Sequence, residues 1–253
     1  LTEGLDLSMG SVLSLCGVAL ALQLASGQSL LVACGTAAFV GVAFGVFNGV
    51  CVSYLGMSPF VVTLGSFGVA QGLALALTEG NAVSDLGPEI EAFYDATVLG
   101  IPMLVFVAAL VYAVFHVLAY HTRIGRYAVA IGGNRNALVT SGVSARLFHL
   151  AIYALAGLTV GLAALCLIAR TKAGHPTIAI GMEFDAIAAV VLGGTQLERG
   201  KGWMFGAVLG VLAIGILRNG LNLIGVDTSL QLVAIGVLVL IVVGIGATQK
   251  GAA

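Results

Sequence analysis

The 253-residue chain is 60% hydrophobic and 8% charged, with a net charge of −1, too little polar surface to cover a water-soluble globule of this size. The near-neutral balance gives no basis for nucleic-acid binding or for a strong hold on anionic lipid. Repeated apolar runs joined by polar connections describe instead one polytopic all-α membrane unit over residues 1–253, and the alternating strands of a transmembrane barrel are not visible.

The first residue is Leu1, and Glu3 and Asp6 stand where a signal peptide would carry Lys or Arg. The sequence reads as beginning inside a longer protein. Asp6 or Ser8 is expected to cap a first apolar helix over Met9–Ala25. After Ser26-Gly27 a second segment runs from Gln28 to Leu55, with Gly41, Gly45 and Gly49 on one face where they let a neighbouring backbone come close. Pro59, whose missing amide costs little in a first helical turn, opens a third crossing that ends near Leu77. The connection Thr78–Gly100 holds Glu79, Asp85, Glu89, Glu91 and Asp95 but no Lys or Arg. A fourth crossing, Ile101–Tyr120, carries His116, expected to be hydrogen-bonded inside the bundle, with a proton or substrate role as the alternative.

The polar loop from His121 to Arg146 holds Arg123, Arg126, Arg135 and Arg146, four of the ten basic residues, and no acid. The positive-inside tendency puts it in the cytoplasm and Thr78–Gly100 outside. Leu147–Ala169 then crosses outward, with Gly157 and Gly161 spaced for close packing, and Arg170–Glu183 is external. The run Phe184–Leu192 is apolar but too short to span. It reads as a half-helix, capped by Asp185 and ended by Gly193-Gly194. Such a piece at membrane depth must be surrounded by protein or line a cavity, so it points toward a pathway.

Gly194 to Lys201 superficially suggests a phosphate-binding loop. Five residues separate its glycines where that motif has four, and Gly202 stands where Ser or Thr should bind magnesium. It reads as a polar interfacial turn, with Trp203 at its edge. Met204–Val226 carries Gly206 and Gly210 and ends in Arg218-Asn219-Gly220-Leu221-Asn222. Arg218 is expected to snorkel to the outer headgroups; the alternative is that it lines the outer mouth or meets an acidic partner. Ser229–Gly246 is the last segment, with Lys250 inside. Cys16, Cys34, Cys51 and Cys166 lack metal or redox spacing and read as small packing residues.

An internal echo links Gly41, Gly45 and Asn48-Gly49 with Gly206, Gly210 and Asn219-Gly220, and Asp6 with Asp185. Opposite membrane faces for the two Asn-Gly pairs would suit an inverted repeat.

Several phrases, in order, resemble the permease subunits of bacterial sugar ABC importers, the ribose, xylose, arabinose and galactose permeases among them. They are Gly4 to Ser11, Asn48-Gly49, Pro59-Phe60-Val61-Val62-Thr63-Leu64-Gly65, Gly125-Arg126-Tyr127 with Gly132-Gly133-Asn134, Asp185 to Thr195, and Asn219 to Asn222. The resemblance covers nearly the whole chain and implies further hydrophobic segments before Leu5. It implies that Gly125 to Val143 contains a coupling helix, Asn134–Ser141, docking on a cytoplasmic ABC ATPase. Gly125, Arg126, Gly132, Gly133, Asn134, Arg135, Ala137, Ser141 and Gly142 are then the candidate coupling residues. Arg135 stands where many relatives carry an acid. It also implies a second permease copy as a homodimer partner and a periplasmic or lipid-anchored sugar-binding protein, in the bacterial cytoplasmic (inner) membrane.

The chain carries no nucleotide-binding motif, so ATP and Mg are expected on the ATPase subunit and no cofactor in this chain. A neutral sugar needs no charged ligand, and the candidate pathway residues are Asn48, Pro59, Phe60, Thr63, Asn219 and Asn222. Asn48, Thr63, Asn219 and Asn222 could equally serve helix–helix hydrogen bonds. An ion-coupled secondary transporter would normally place ionisable groups in the core. Beyond its histidines, Arg218 and the capping acids, this core holds none. An intramembrane enzyme would need a converging nucleophile and base or metal ligands, and neither His-Glu-x-x-His nor Gly-x-Ser-x-Gly occurs.

Overall fold

The computed structural model describes residues 2, 4–195, 200–227, 229–238 and 240. In chain order the elements are α1 (Met9–Ala25), α2 (Leu30–Ser53), α3 (Pro59–Thr78), α4 (Pro88–Asp95), a small antiparallel hairpin of β1 (Thr97–Val98) and β2 (Ile101–Pro102), and α5 (Met103–His121). Then follow α6 (Arg123–Thr140), α7 (Ala145–Thr171), α8 (Met182–Leu192) and α9 (Met204–Leu223), and a last described helix, α10 (Ser229–Leu238). Five of these, α2, α3, α5, α7 and α9, are long and apolar enough to cross a membrane.

The centre of the bundle is α1. Its sequence is apolar all round, which suits a helix walled in on every side: Cys16, Val18, Leu20 and Ala21 are fully buried among Ala33 and Ala37 of α2, Ala70 and Ala74 of α3, and Ala164 and Ile168 of α7. By contrast, α3, α5 and α9 turn large apolar side chains outward, Phe60, Leu64, Phe106, Leu110, Phe205 and Ile216 among them. Such faces suit lipid, where outward apolar surface carries no penalty.

Contact between α2 and α7 is backbone to backbone. A methyl group at Gly41 would collide with the Gly157 carbonyl, one at Gly157 with the Gly41 carbonyl, and one at Gly45 with the Tyr153 carbonyl. The same device recurs between α8 and α9, where Gly193 meets Gly206 and Ala189 meets Gly210. The glycines echoed in the two halves therefore serve different partners, α7 in one case and α8 in the other.

One end of the bundle takes shape around α7's C-terminus. Val83 and Gly174 exchange backbone hydrogen bonds of 2.9 and 2.8 Å, so Thr78–Gly100 and Arg170–Glu183 lie on one side, as the charge pattern predicts. Lys172 Nζ meets Glu91 Oε1 at 3.0 Å; hydrogen bonding to Glu91 raises the Lys172 ammonium above its ordinary pKa. Thr78–Gly100 is not a plain connection. Pro88 at a first turn and an acidic start at Glu89 and Glu91 build α4, whose Ile90 is buried against the core.

Several expectations change. His121–Arg146 is helical for most of its length rather than a loop: Thr122 caps α6 by accepting from Ile124 N at 3.2 Å. The half-helix begins at Met182, two residues before Phe184, after Gly181 at φ 92°. Asp185 consequently lies inside α8 and does not cap it; Asp185 Oδ2 meets Arg218 Nη2 of α9 at 2.6 Å. Arg218 thus meets an acid across the helix pair instead of snorkelling. At the start of α1, Ser8 donates from both its N–H (2.9 Å) and its hydroxyl (2.6 Å) to Asp6 Oδ1, so Ser8 makes no side-chain cap of α1.

His116 is not hydrogen-bonded through Nδ1; its ring packs between Tyr112 and Tyr120, at centroid distances of 5.8 and 4.7 Å. Trp203 is half exposed at the head of α9 and its indole N–H donates to the Gly193 carbonyl at 3.0 Å. The interfacial turn expected over Gly194–Lys201 falls partly, and the last segment beyond residue 240 with Lys250 wholly, outside the described residues.

Two measurements test this packing. Gly41→Val should cost about 1–3 kcal/mol by overpacking against Gly157, read as a lowered Tm in detergent. Gly68→Ala, at a helical site with open space around it, should gain up to about 1 kcal/mol. For the ion pair, a double-mutant cycle of Asp185→Asn and Arg218→Gln should return a coupling of about 1–3 kcal/mol. Arg218 is about one-third exposed, which keeps that value below the cost of breaking a fully buried pair.

Candidate functional site

The stretch before α1 is non-helical backbone that runs into the bundle, and side chains from two helices, α2 and α3, hold it. Thr63 of α3, fully buried, donates to the Leu5 carbonyl at 3.4 Å. Asn48 of α2, 1% exposed, donates from Nδ2 to Ser8 Oγ at 3.1 Å, and its Oδ1 accepts from the buried Ser66 hydroxyl of α3. Asp6 completes the chain by accepting from Ser8. Each buried polar group is thereby paired, as an interior of low dielectric requires. Pro59 and Phe60 lie one turn below Thr63, Phe60 half exposed.

Beside this stretch lies a cleft of about 300 Å³, walled by Leu5, Asp6 and Met9, by Ile152, Tyr153 and Ala156 of α7, and by Ala186, Ile187 and Val190 of the half-helix α8. A second cavity of about 500 Å³ is lined by Tyr120, Arg126, Val129, Trp203 and Met204. Val190 and Thr195 line both, so the two adjoin. The half-helix that the sequence marked as a pathway element is the shared wall.

Asn219 and Asn222 are placed elsewhere. Both are exposed at the far end of α9, and Asn222 Oδ1 accepts from Gln231 Nε2 of the following helix at 2.8 Å. Of the sequence-expected pathway residues, the structure gathers Asn48 and Thr63 into one network with Pro59 and Phe60 nearby, and no hydrogen bond among the described residues joins the α9 pair to it.

The coupling candidates sort by position along α6. Gly125 is buried in the first turn of α6 against the end of α5, where a methyl would strike the Ala119 carbonyl, and Gly132 is buried in the middle of α6. Asn134 has φ −158° and ψ 89°, a break that divides α6 in two. Its Oδ1 accepts from Ala137 N at 3.0 Å, an N-cap for the short helix that follows. That helix, residues 135–140, ends with Gly142 at φ 80°, the left-handed position glycine favours. Gly133, Asn134, Arg135, Ala137, Ser141 and Gly142 are exposed, as is Arg126, while Leu138 on the inner face packs with Ile131 and with Ala145 at the start of α7. Tyr127 and Phe148 stack edge-on at 4.5 Å over the same joint.

Tyr153, His149, Ser8, Ser66 and the Asp185–Arg218 pair were not singled out as site residues by sequence. Tyr153 and His149 look like ordinary members of an apolar run, and only their spacing of four, which stacks them on one helix face, carried a signal. No group of three His, Cys, Asp or Glu side chains able to hold a metal ion occurs among the described residues.

Comparison with known proteins gives these elements a context. Residues 1–243 match the family described as branched-chain amino acid transport system / permease component. The ribose import permease protein of Bacillus subtilis (strain 168) is 40% identical over 245 residues, 96% of this chain and 76% of that protein. The D-allose transport system permease protein of Escherichia coli (strain K12) is 36% identical over 246 residues, 97% of this chain and 76% of that protein. A probable ABC transporter permease protein of the same strain is 34% identical over 239 residues, 94% of this chain and 72% of that protein. No solved structure matches the chain significantly. Carrying its polar network, half-helix and short capped helix along a span that the family matches almost throughout, the chain belongs to this permease family and is a multi-pass permease component of an ABC transporter in the bacterial cytoplasmic membrane.

Proposed function

We propose that the chain moves a monosaccharide or similar small polar solute into the cytoplasm as one of two permease copies. A cytoplasmic ABC ATPase subunit holds the ATP and Mg, and a periplasmic or lipid-anchored sugar-binding protein delivers the solute. The sugar relatives support the solute class. The coupling role rests on one observation. The short helix after Asn134 is exposed on its outer face, while Leu138 on its inner face is packed against the first residue of α7.

That connection gives the transmission its physical form. A partner pressing on Arg135, Ala137 and Ser141 pushes through Leu138 onto Ala145, and Ala145, His149 and Tyr153 follow at four-residue spacing along one face of α7. Tyr153 walls the 300 Å³ cleft. Helix α7 is locked to α2 through glycine contacts that leave no soft side chain between the backbones, so the two helices move together as a rigid body against α8. With α8 tied to α9 by the Asp185–Arg218 pair, the cleft lies along the boundary between the two bodies, where alternating exposure needs it.

Affinity purification of the full-length protein in mild detergent tests this. Wild type should bring down an ATP-hydrolysing subunit. Ala137→Arg places a long charged side chain on the exposed face, away from Leu138, and should keep the wild-type Tm while losing the ATPase. The importer reading fails if wild type captures no ATPase and reconstituted protein moves solute down an ion gradient.

A further inference from the structure

The buried face of α7 holds polar atoms that are without partners among the described residues. His149 and Tyr153 are each 4% exposed, yet both ring nitrogens of His149 and the hydroxyl of Tyr153 are buried with no hydrogen-bond partner. Leaving one such group unpaired costs on the order of 1–3 kcal/mol, and three are grouped here, with the rings 5.3 Å apart. They converge on Gly4: a methyl group there would stand 2.7 Å from Tyr153 Oη and 3.2 Å from His149 Nε2. Gly4 and Tyr153 both line the 300 Å³ cleft.

We infer that Tyr153 and His149 form the contact site for a polyhydroxylated solute in transit, a deduction that rests on the importer reading above. The chemistry matches in kind. A phenol hydroxyl donates and accepts, and a neutral imidazole offers one donor and one acceptor in either tautomer. The best complement to such a set is a ligand whose neighbouring groups also do both, as vicinal hydroxyls do. The remaining walls, Ile152, Ala156, Ile187 and Val190, are apolar and suit the C–H faces of a small ring. Asp6 at the same cleft accepts from the Ser8 amide and hydroxyl through Oδ1. A volume of about 300 Å³ lies at the small end of ligand sites. Gly4 packs directly over the two polar groups and leaves no room for a side chain, so the solute meets them as the Gly4 stretch gives way in transit.

The test uses the full transporter, with its ATPase and binding protein, reconstituted in vesicles and assayed for uptake of labelled D-ribose, D-allose and D-xylose. Tyr153→Phe removes only an oxygen that bonds to nothing among the described residues, so a purely structural role predicts unchanged Tm and unchanged uptake. The inference predicts unchanged Tm and an uptake rate lower by about tenfold, the effect of one lost hydrogen bond. Binding-protein-stimulated ATP hydrolysis should persist. His149→Leu and Gly4→Ala should act in the same direction, which keeps the result readable if one variant folds poorly. Wild-type uptake in Tyr153→Phe and Gly4→Ala overturns the site and leaves the importer standing. Transport of none of the three sugars by wild type, with ATP hydrolysis intact, overturns the polyhydroxylated ligand alone. If no ATPase assembles with the protein, the importer reading falls and this one with it.

Discussion

Backbone that is not helical at membrane depth must find its hydrogen bonds in protein, because lipid supplies none. The segment before α1 is where this chain meets that constraint most severely, and much of the surrounding sequence is chosen to satisfy it. Thr63 reaches the Leu5 carbonyl, Asp6 takes the Ser8 amide, and Asn48, itself held by the Ser66 hydroxyl, donates to the Ser8 hydroxyl. Two helices, α2 and α3, thus contribute polar side chains to a few residues of non-helical chain. The break between Thr171 and α8 is handled likewise: Ser14 of α1 accepts from Ala179 N at 3.1 Å, and Gln71 of α3 donates to the Pro176 carbonyl at 3.1 Å. Irregular backbone lined by polar side chains leaves room for a cleft, which continuous helices packed on glycine do not.

Polar atoms in the bundle accordingly fall into two groups. Those of Asn48, Thr63, Ser8 and Ser66 are used up in holding the chain, so their pairing argues for a structural role. Those of Tyr153 and His149 are unspent. The difference is one of hydrogen-bond accounting, and residue type alone does not disclose it. An asparagine in an apolar run attracts notice in a sequence, whereas a tyrosine in a similar run passes as core.

Much of the architecture was legible for physical reasons. The first helix was placed at Met9–Ala25 and observed there, because a polar lead, an unbroken apolar run and a Ser-Gly turn leave little freedom. Pro59 fixed the start of α3 just as firmly. The His121–Arg146 stretch misled because its glycines, arginines and asparagines lack an apolar stripe of helical period; tertiary anchors at Ile131, Leu138 and Tyr127 supply the helix's support instead. Asp185 and Arg218 are 33 residues apart, and no local pattern could pair them. α4 was overlooked for its brevity, its one buried anchor being Ile90. A short helix does lie within the expected Asn134–Ser141, but Asn134 is its cap and stands outside its helical turn.

The length of α7 has a consequence of its own. Its 27 residues span about 40 Å at 1.5 Å per residue, about 10 Å more than the hydrocarbon of a typical bilayer. A helix that overruns the membrane must lean or stand proud of it, and here basic residues mark both margins, Arg146 one residue into the start and Arg170 one residue from the end. Solvated charges at each rim resist the helix being drawn through along its own axis, since either arginine would have to enter the apolar slab. Swinging about a point within the bilayer costs no such dehydration. The helix is thereby restricted to the motion of a rocker arm, able to change its slope far more readily than its depth.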